Sequence, residues 1–269
     1  MNIGSKLAFS VLMILMIMSS GACVVENDDR IDLKVLASTS LKKPMTEIAK
    51  AYQEQYPLIK INLNFDGSGT LVTQIVDGAP ADVIILGAQS YMHPLESKGL
   101  VQWDNQSVLI ENWLVLVTSK NNPNKLRCFN DLTMNSVRRV SLNNPKIYSS
   151  GVYANEVLAY FGISEQIKDK LIYCDQVTQL IDYVVRGDAD AGILFYTDYL
   201  SHKDQLSLID EAPHYSHSPI IYPVAVVKNS KQITEANIFI KWLYSDKSRS
   251  IMTENGFKIT DVNPQWNMY

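Results

Sequence analysis

Histidine and cysteine are scarce in this chain, and their scarcity removes whole classes of chemistry. Among 269 residues there are four histidines and three cysteines. His214 and His217, three apart in HYSHSP, are the one pair that suggests a metal, and no cysteine or carboxylate pattern accompanies them. They read as surface histidines in a loop. No G-x-S-x-G elbow is present and no Ser/His/Asp ordering stands out, so no nucleophilic triad is on offer and the chain does not read as an enzyme. A basic block is missing too. Lysine and arginine number 24 against 28 acidic residues, a net charge of −4. Nucleic-acid binding is thereby left without its electrostatic footprint. No stretch rich in proline, glycine or serine divides the chain, so its parts must be joined by ordered segments.

One long apolar run exists, at the N-terminus. Lys6 is followed by LAFSVLMILMIM, too short for a comfortable membrane span, and then by SSGAC. A basic residue, an apolar core and small residues make residues 1–23 an export signal. Cys23, directly after small residues, resembles the lipobox of bacterial lipoproteins. That resemblance implies diacylation of Cys23 and a protein held on the outer side of the cell membrane. Cleavage near Ala22 is the alternative and would leave a soluble secreted or periplasmic protein. Residues 24–30, ending in VENDDR, read as a polar tether. Two cysteines remain. After export Cys128 and Cys174 are permitted a disulfide, and they read equally well as two separate small core residues.

From residue 31 strands and helices alternate. LKVLA (33–37), IKINLNF (59–65) and ADVIILG (81–87) read as strands. Between them Met45, Ile48, Ala49 and Tyr52 recur at helical spacing, with Pro44 suited to the first turn. The helix after GSGT carries Leu71, Ile75 and Val76, and PLESKGLV continues as a helix ending near Gly99. A second α/β set follows: NWLVLVTSK (112–120), RRVSLNNP, the helices GVYANEVLAYFG and QVTQLIDYVVRGDAD, and a strand AGILFYTD (191–198). IIYPVAVVK (220–228) is a strand whose Pro223 argues for an edge, a bulge or a crossing point. TEANIFIKWLYS and SRSIMTENGF close the chain as surface helices. Two α/β lobes with a cleft between them account for this order. The strands 112–120 and 220–228 are the natural crossings. Lobe 1 then takes residues 31–113 and 223–269, and lobe 2 takes 114–222.

Four loops share one chemistry. ASTSLKKP, DGSGT, NPKIYSSGVYA and DQVTQL each place hydroxyls or backbone N–H groups after a strand and before a helix. A helix N-terminus carries unpaired donors and partial positive charge, which suits an anion. Ligands of open α/β sheets bind outside the carboxyl ends of the strands, and two such loops come from each lobe. Any one of the four, taken alone, is an ordinary N-cap. DGSGT contains no lysine or arginine. The nearest cations are Lys42, Lys43 and Lys146, and helical direction carries the first two away from the loop tip. An anion here would be held by neutral donors. Asp66 beside the turn reads as a residue that holds the loop; turned inward, it would demand a protonated oxyanion.

VLASTSL, GSGTLVTQI, DGAPADVIILGAQSYM, NWLVLVTSK, NPKIYSSGVYANEVL, AGILFYTDY and YPVAVVKNS together resemble the molybdate-binding proteins of bacterial ABC importers. The resemblance runs through almost the whole of the chain after the signal. It implies a two-lobed periplasmic-binding-protein type II fold, each lobe a mixed, mostly parallel sheet flanked by helices. The implied ligand is molybdate or tungstate, with no cofactor and no direct metal ligands. The implied partners are an ABC permease and its ATPase, with the binding protein a monomer. By motif position the ligand residues would be Ser40, Ser68, Ser150 and Val177, the last two through backbone N–H groups. One position differs. Where the family has a tyrosine this chain has Phe195, which cannot donate, followed by Tyr196. Either Tyr196 takes the role or the site has one donor fewer. Another tetrahedral oxyanion, sulfate or phosphate, would use the same physics.

Overall fold

A computed structural model describes residues 30–102 and 108–259. The export signal, Cys23 and all of the tether but Arg30 lie outside these residues. β1 (Ile31–Ser38) opens the first sheet. Its early residues alternate between buried and exposed, and from Val35 every residue is buried, because both faces are then covered. There follow α1 (Lys42–Gln55), β2 (Ile59–Asp66), α2 (Ser68–Val76), β3 (Val83–Ile85), α3 (Gln89–Ser97), β4 (Val101–Gln102) and β5 (Val108–Glu111). The second sheet starts at once with β6 (Leu114–Ser119). It continues through β7 (Val140–Asn143), α4 (Ser149–Tyr160), α5 (Ser164–Ile167), β8 (Leu171–Cys174), α6 (Val177–Arg186), β9 (Ala191–Phe195), α7 (Tyr196–Ser201) and β10 (Leu206–Glu211). The chain returns as β11 (Ile221–Val227), α8 (Ile233–Leu243), α9 (Asp246–Glu254) and β12 (Lys258–Ile259).

The first sheet has the order β12-β5-β11-β3-β1-β2, with β4 also on β11; the second is β10-β6-β9-β7-β8. Parallel pairing runs through β3-β1-β2 and β9-β7-β8. Antiparallel pairing is confined to strands at and beyond the crossings. This is a two-lobed α/β fold of mixed sheets. The strands expected to cross do not: β6 lies wholly in the second sheet and β11 wholly in the first. The passages are Asn112–Trp113 and residues 212–220, just ahead of each strand. Pro223 sits in a central strand at a register slip against β5, so the bulge reading accounts for its missing N–H. β9 ends at Phe195, three residues before the expected end, because Tyr196 opens α7.

One apolar cluster runs from lobe to lobe through Leu109, Ile110, Leu114, Phe195 and Tyr222. Two smaller clusters line the opposite faces: Leu36, Leu71, Ile84 and Leu86 in lobe 1, and Val115, Leu180, Val184 and Leu194 in lobe 2. Val76 is exposed, since one step beyond Ile75 turns about 100° around the helix. The Gly-Ala-Pro-Ala-Asp run has a structural use. The Asp82 carboxylate accepts the Lys34 N–H at 2.7 Å and the Ser230 hydroxyl at 2.6 Å, tying β1 to the turn after β11. Cys128 and Cys174 are both free thiols, and burial pushes that of Cys174 up to about 11.

The C-terminal helices pack back on α1. Tyr52 is its anchor, with Phe239 edge-on at 4.9 Å and Trp242 at 5.4 Å, while Trp242 Nε1 donates to Gln55 Oε1 at 2.9 Å. Phe239 is fully buried. Phe239→Ala should therefore cost about 3–5 kcal/mol, read as a lowered urea midpoint with an unchanged slope.

Candidate functional site

The residues that converge between the lobes are mostly serines, and the backbone explains why they meet. β1 ends at Ser38 and passes through a single tight turn, Thr39–Leu41, into α1. α2 begins at Ser68, whose side chain is fully buried. Its hydroxyl accepts the Gly87 N–H at 3.0 Å from the loop after β3. A hydroxyl carries one proton, and with a lone pair so engaged the Ser68 proton is available to something else. Gly87 is required at its position. A Cβ there would lie 2.5 Å from Ser149 Oγ of lobe 2 and 3.1 Å from Ser38 Oγ of lobe 1.

Ser40 belongs to a second relay. Its Oγ is 2.9 Å from the Tyr222 phenol oxygen, which accepts from Asn112 Nδ2 at 3.2 Å. Asn112 is oriented by its other end, where Oδ1 accepts the Trp113 N–H at 2.9 Å. The Ser40–Tyr222 bond can run either way; with the phenol as donor, the Ser40 proton is free for a ligand. Burial pushes the Tyr222 phenol above its ordinary value, so it stays a donor. The amide nitrogen of Asn112 also donates to Thr197 Oγ1 at 2.9 Å, which brings the start of α7 to the same point.

Lobe 2 contributes the N-terminus of α4. The Ser150 hydroxyl donates to Asn143 Oδ1 at 3.0 Å. Ser150 therefore has its N-terminal backbone N–H to offer rather than its side chain. Val177 is the first residue of α6 and likewise has only a backbone donor. Tyr196 stands elsewhere. Its ring stacks on Trp113 at 4.2 Å and lies beside Gly256. Phe195 packs between Tyr153 and Tyr222. Ser40, Ser68 and the Ser149–Ser150 pair are thus brought together, whereas the Tyr196 ring turns to the crossing. Tyr222 and Asn112 were not among the sequence candidates. The signal that pointed to one of them was the tyrosine opening the YPVAVVKNS motif.

The lobes touch directly over these residues. Gly69 N–H donates to the Ile147 carbonyl at 2.9 Å, and Tyr91 Oη donates to the Pro145 carbonyl at 2.8 Å. Burial, with Asp66, Asp175 and Asp198 nearby, raises the pKa of the Tyr148 hydroxyl. Asp66 Oδ1 accepts the Gly67 N–H at 2.7 Å, the loop-holding role. Lys42 and Lys43 line a neighbouring cavity of about 470 Å³ that Ser40 also borders. Among the described residues no cluster of three His, Cys, Asp or Glu could hold a metal ion.

Residues 33–258 match the family described as bacterial extracellular solute-binding protein. A Bacillus subtilis (strain 168) protein named as an ABC transporter substrate-binding lipoprotein, YvgL, is 31% identical over 239 residues, covering 89% of this chain and 91% of the relative. The molybdate-binding protein ModA of Haemophilus influenzae is 29% identical over 226 residues, covering 83% and 88%. A solved structure described as the substrate-binding domain of a molybdenum ABC transporter from Clostridium difficile superposes with a TM-score of 0.68 at 31% identity, covering 86% of this chain and 99% of that one.

A Cβ on Gly69 would overlap the Lys146 carbonyl oxygen of the opposite lobe, and its nearest neighbours all belong to that lobe. Gly69→Ala should therefore disfavour closure by about 1–3 kcal/mol while sparing lobe 1 itself. Small-angle scattering should give a larger radius of gyration than for the wild type.

Proposed function

The chain belongs to the bacterial extracellular solute-binding proteins, and on that footing we propose that it captures molybdate or tungstate for an ABC importer. Members of this family bind a solute for transport and do not turn it over. The observation that carries the reading is the convergence of neutral donors from both lobes: Ser40 with Tyr222 behind it, Ser68 with Gly87 behind it, and the N-terminus of α4. A tetrahedral dianion accepts many hydrogen bonds, and bonds to a charged acceptor are stronger than neutral ones. Tyr222 gives the site a phenol through Ser40, which fits a chain that has Phe195 where the family has tyrosine.

Capture proceeds by hinge closure about the two passages. An anion stabilises the closed form only if its contacts come from both lobes, which the serines supply. Closure excludes water and strengthens each bond. The closed shape is what the permease, with its ATPase, reads. The protein works as a monomer outside the cytoplasm, held to the membrane through a lipid on Cys23.

Isothermal titration of the purified protein with molybdate, tungstate, sulfate and phosphate tests this. Saturable one-to-one binding of the first two, and none of the last two, is expected. Ser68→Ala should weaken binding by about ten- to a hundredfold, the effect of losing a bond to a charged group. Unchanged affinity would remove Ser68 from the site.

A further inference from the structure

The cavity beside Ser40 has an unexplained occupant on its lobe 2 wall. Asp198 lies there, one residue after Thr197, which Asn112 ties to Tyr222. Among the described residues its carboxylate accepts no hydrogen bond and forms no ion pair; only its backbone carbonyl is engaged, by His202 Nδ1 at 2.9 Å. Its charge is felt by the Tyr222 and Tyr148 phenols, which places it electrostatically within the donor cluster. Lys42, Lys43 and Glu47 of α1 and His202, just past α7, share the cavity, and neither lysine is within ion-pair distance of Asp198.

A dianion seated against Ser40 would share this cavity with the carboxylate, which neither lysine there pairs. Two negative charges in a desolvated site do not both persist, and one group takes a proton. We propose that Asp198 enters the loaded cleft as a neutral acid, so that the anion and one proton from solvent bind together. The proposal rests on the oxyanion reading above. Asp198 is suited to the part because the surrounding protein desolvates it, while it keeps an opening to the cavity through which a proton can arrive. Burial pushes its carboxyl up to about 7 even without an anion. The sign follows. Below that value the acid is already neutral and binding takes up little. Above it the proton must be acquired, and affinity falls by up to about tenfold per pH unit.

The test is titration of the purified protein with molybdate, a dianion throughout, between about pH 6 and pH 9 in buffers of differing ionisation enthalpy. Proton uptake should rise from near zero at the acid end toward one, with affinity falling about tenfold per unit above pH 7. Asp198→Asn should flatten the profile, and His202→Gln should keep it. Pairing each titration with hydrogen phosphate checks the inverse case, in which the ligand brings the proton to an ionised Asp198. Molybdate binding with no proton uptake overturns this proposal alone, as does a slope that survives in Asp198→Asn. Phosphate bound more tightly than molybdate at the alkaline end also overturns it. No binding of either anion at any pH overturns the ligand reading and this proposal with it. The wild-type proton count decides even if the Asn variant fails to fold.

Discussion

The side-chain amide of Asn112 sits where the chain first leaves one sheet for the other, and it touches both. Its nitrogen donates to Tyr222 in the first lobe and to Thr197 in the second; its oxygen fixes Trp113 in the passage between them. The group is buried, so each of these partners must be present or a polar atom is stranded. That requirement sets the position of the phenol, and the phenol holds the Ser40 hydroxyl at 2.9 Å. The alignment of the two lobes and the polarity of the site are therefore consequences of one satisfied amide.

A site without arginine has to obtain direction from elsewhere. Guanidinium donors are aimed by their own planar fork, but a hydroxyl can rotate. Here each hydroxyl is aimed by something behind it: Gly87 N–H behind Ser68, Tyr222 behind Ser40, Asn143 beside Ser150. The relays also explain why Gly87 is bare, since Ser149 and Ser38 close on it from opposite lobes.

What could be read from residues alone was whatever repeats or is local. Helical stripes such as Met45, Ile48, Ala49 and Tyr52, the hydroxyl loops before helices and the alternation of strands with helices all fall within a short window. Short strands such as Leu171–Cys174 and Leu206–Glu211 carry little pattern, because their side chains are only partly buried. The end of β9 was hidden for a similar reason, since no punctuating glycine or proline separates Phe195 from Tyr196. Contacts across great sequence distance were not legible. Ser40 and Tyr222 are 182 positions apart, and nothing near either one announces the other. Asp198 read as the last residue of the strand AGILFYTD, whereas it stands in the first turn of α7.

The latch between the lobes uses backbone carbonyls, those of Ile147 and Pro145, and it asks nothing of the cargo. Part of the free energy of shutting is thus internal to the polypeptide. Some molecules will be shut around an empty chamber, and the measured affinity for cargo carries the open fraction as a factor. Selection can then adjust how greedily the carrier collects its solute at loop residues that never meet it. It also means that shape by itself is an imperfect token of loading, so a transporter that consults only shape will receive vacant carriers and idle on them.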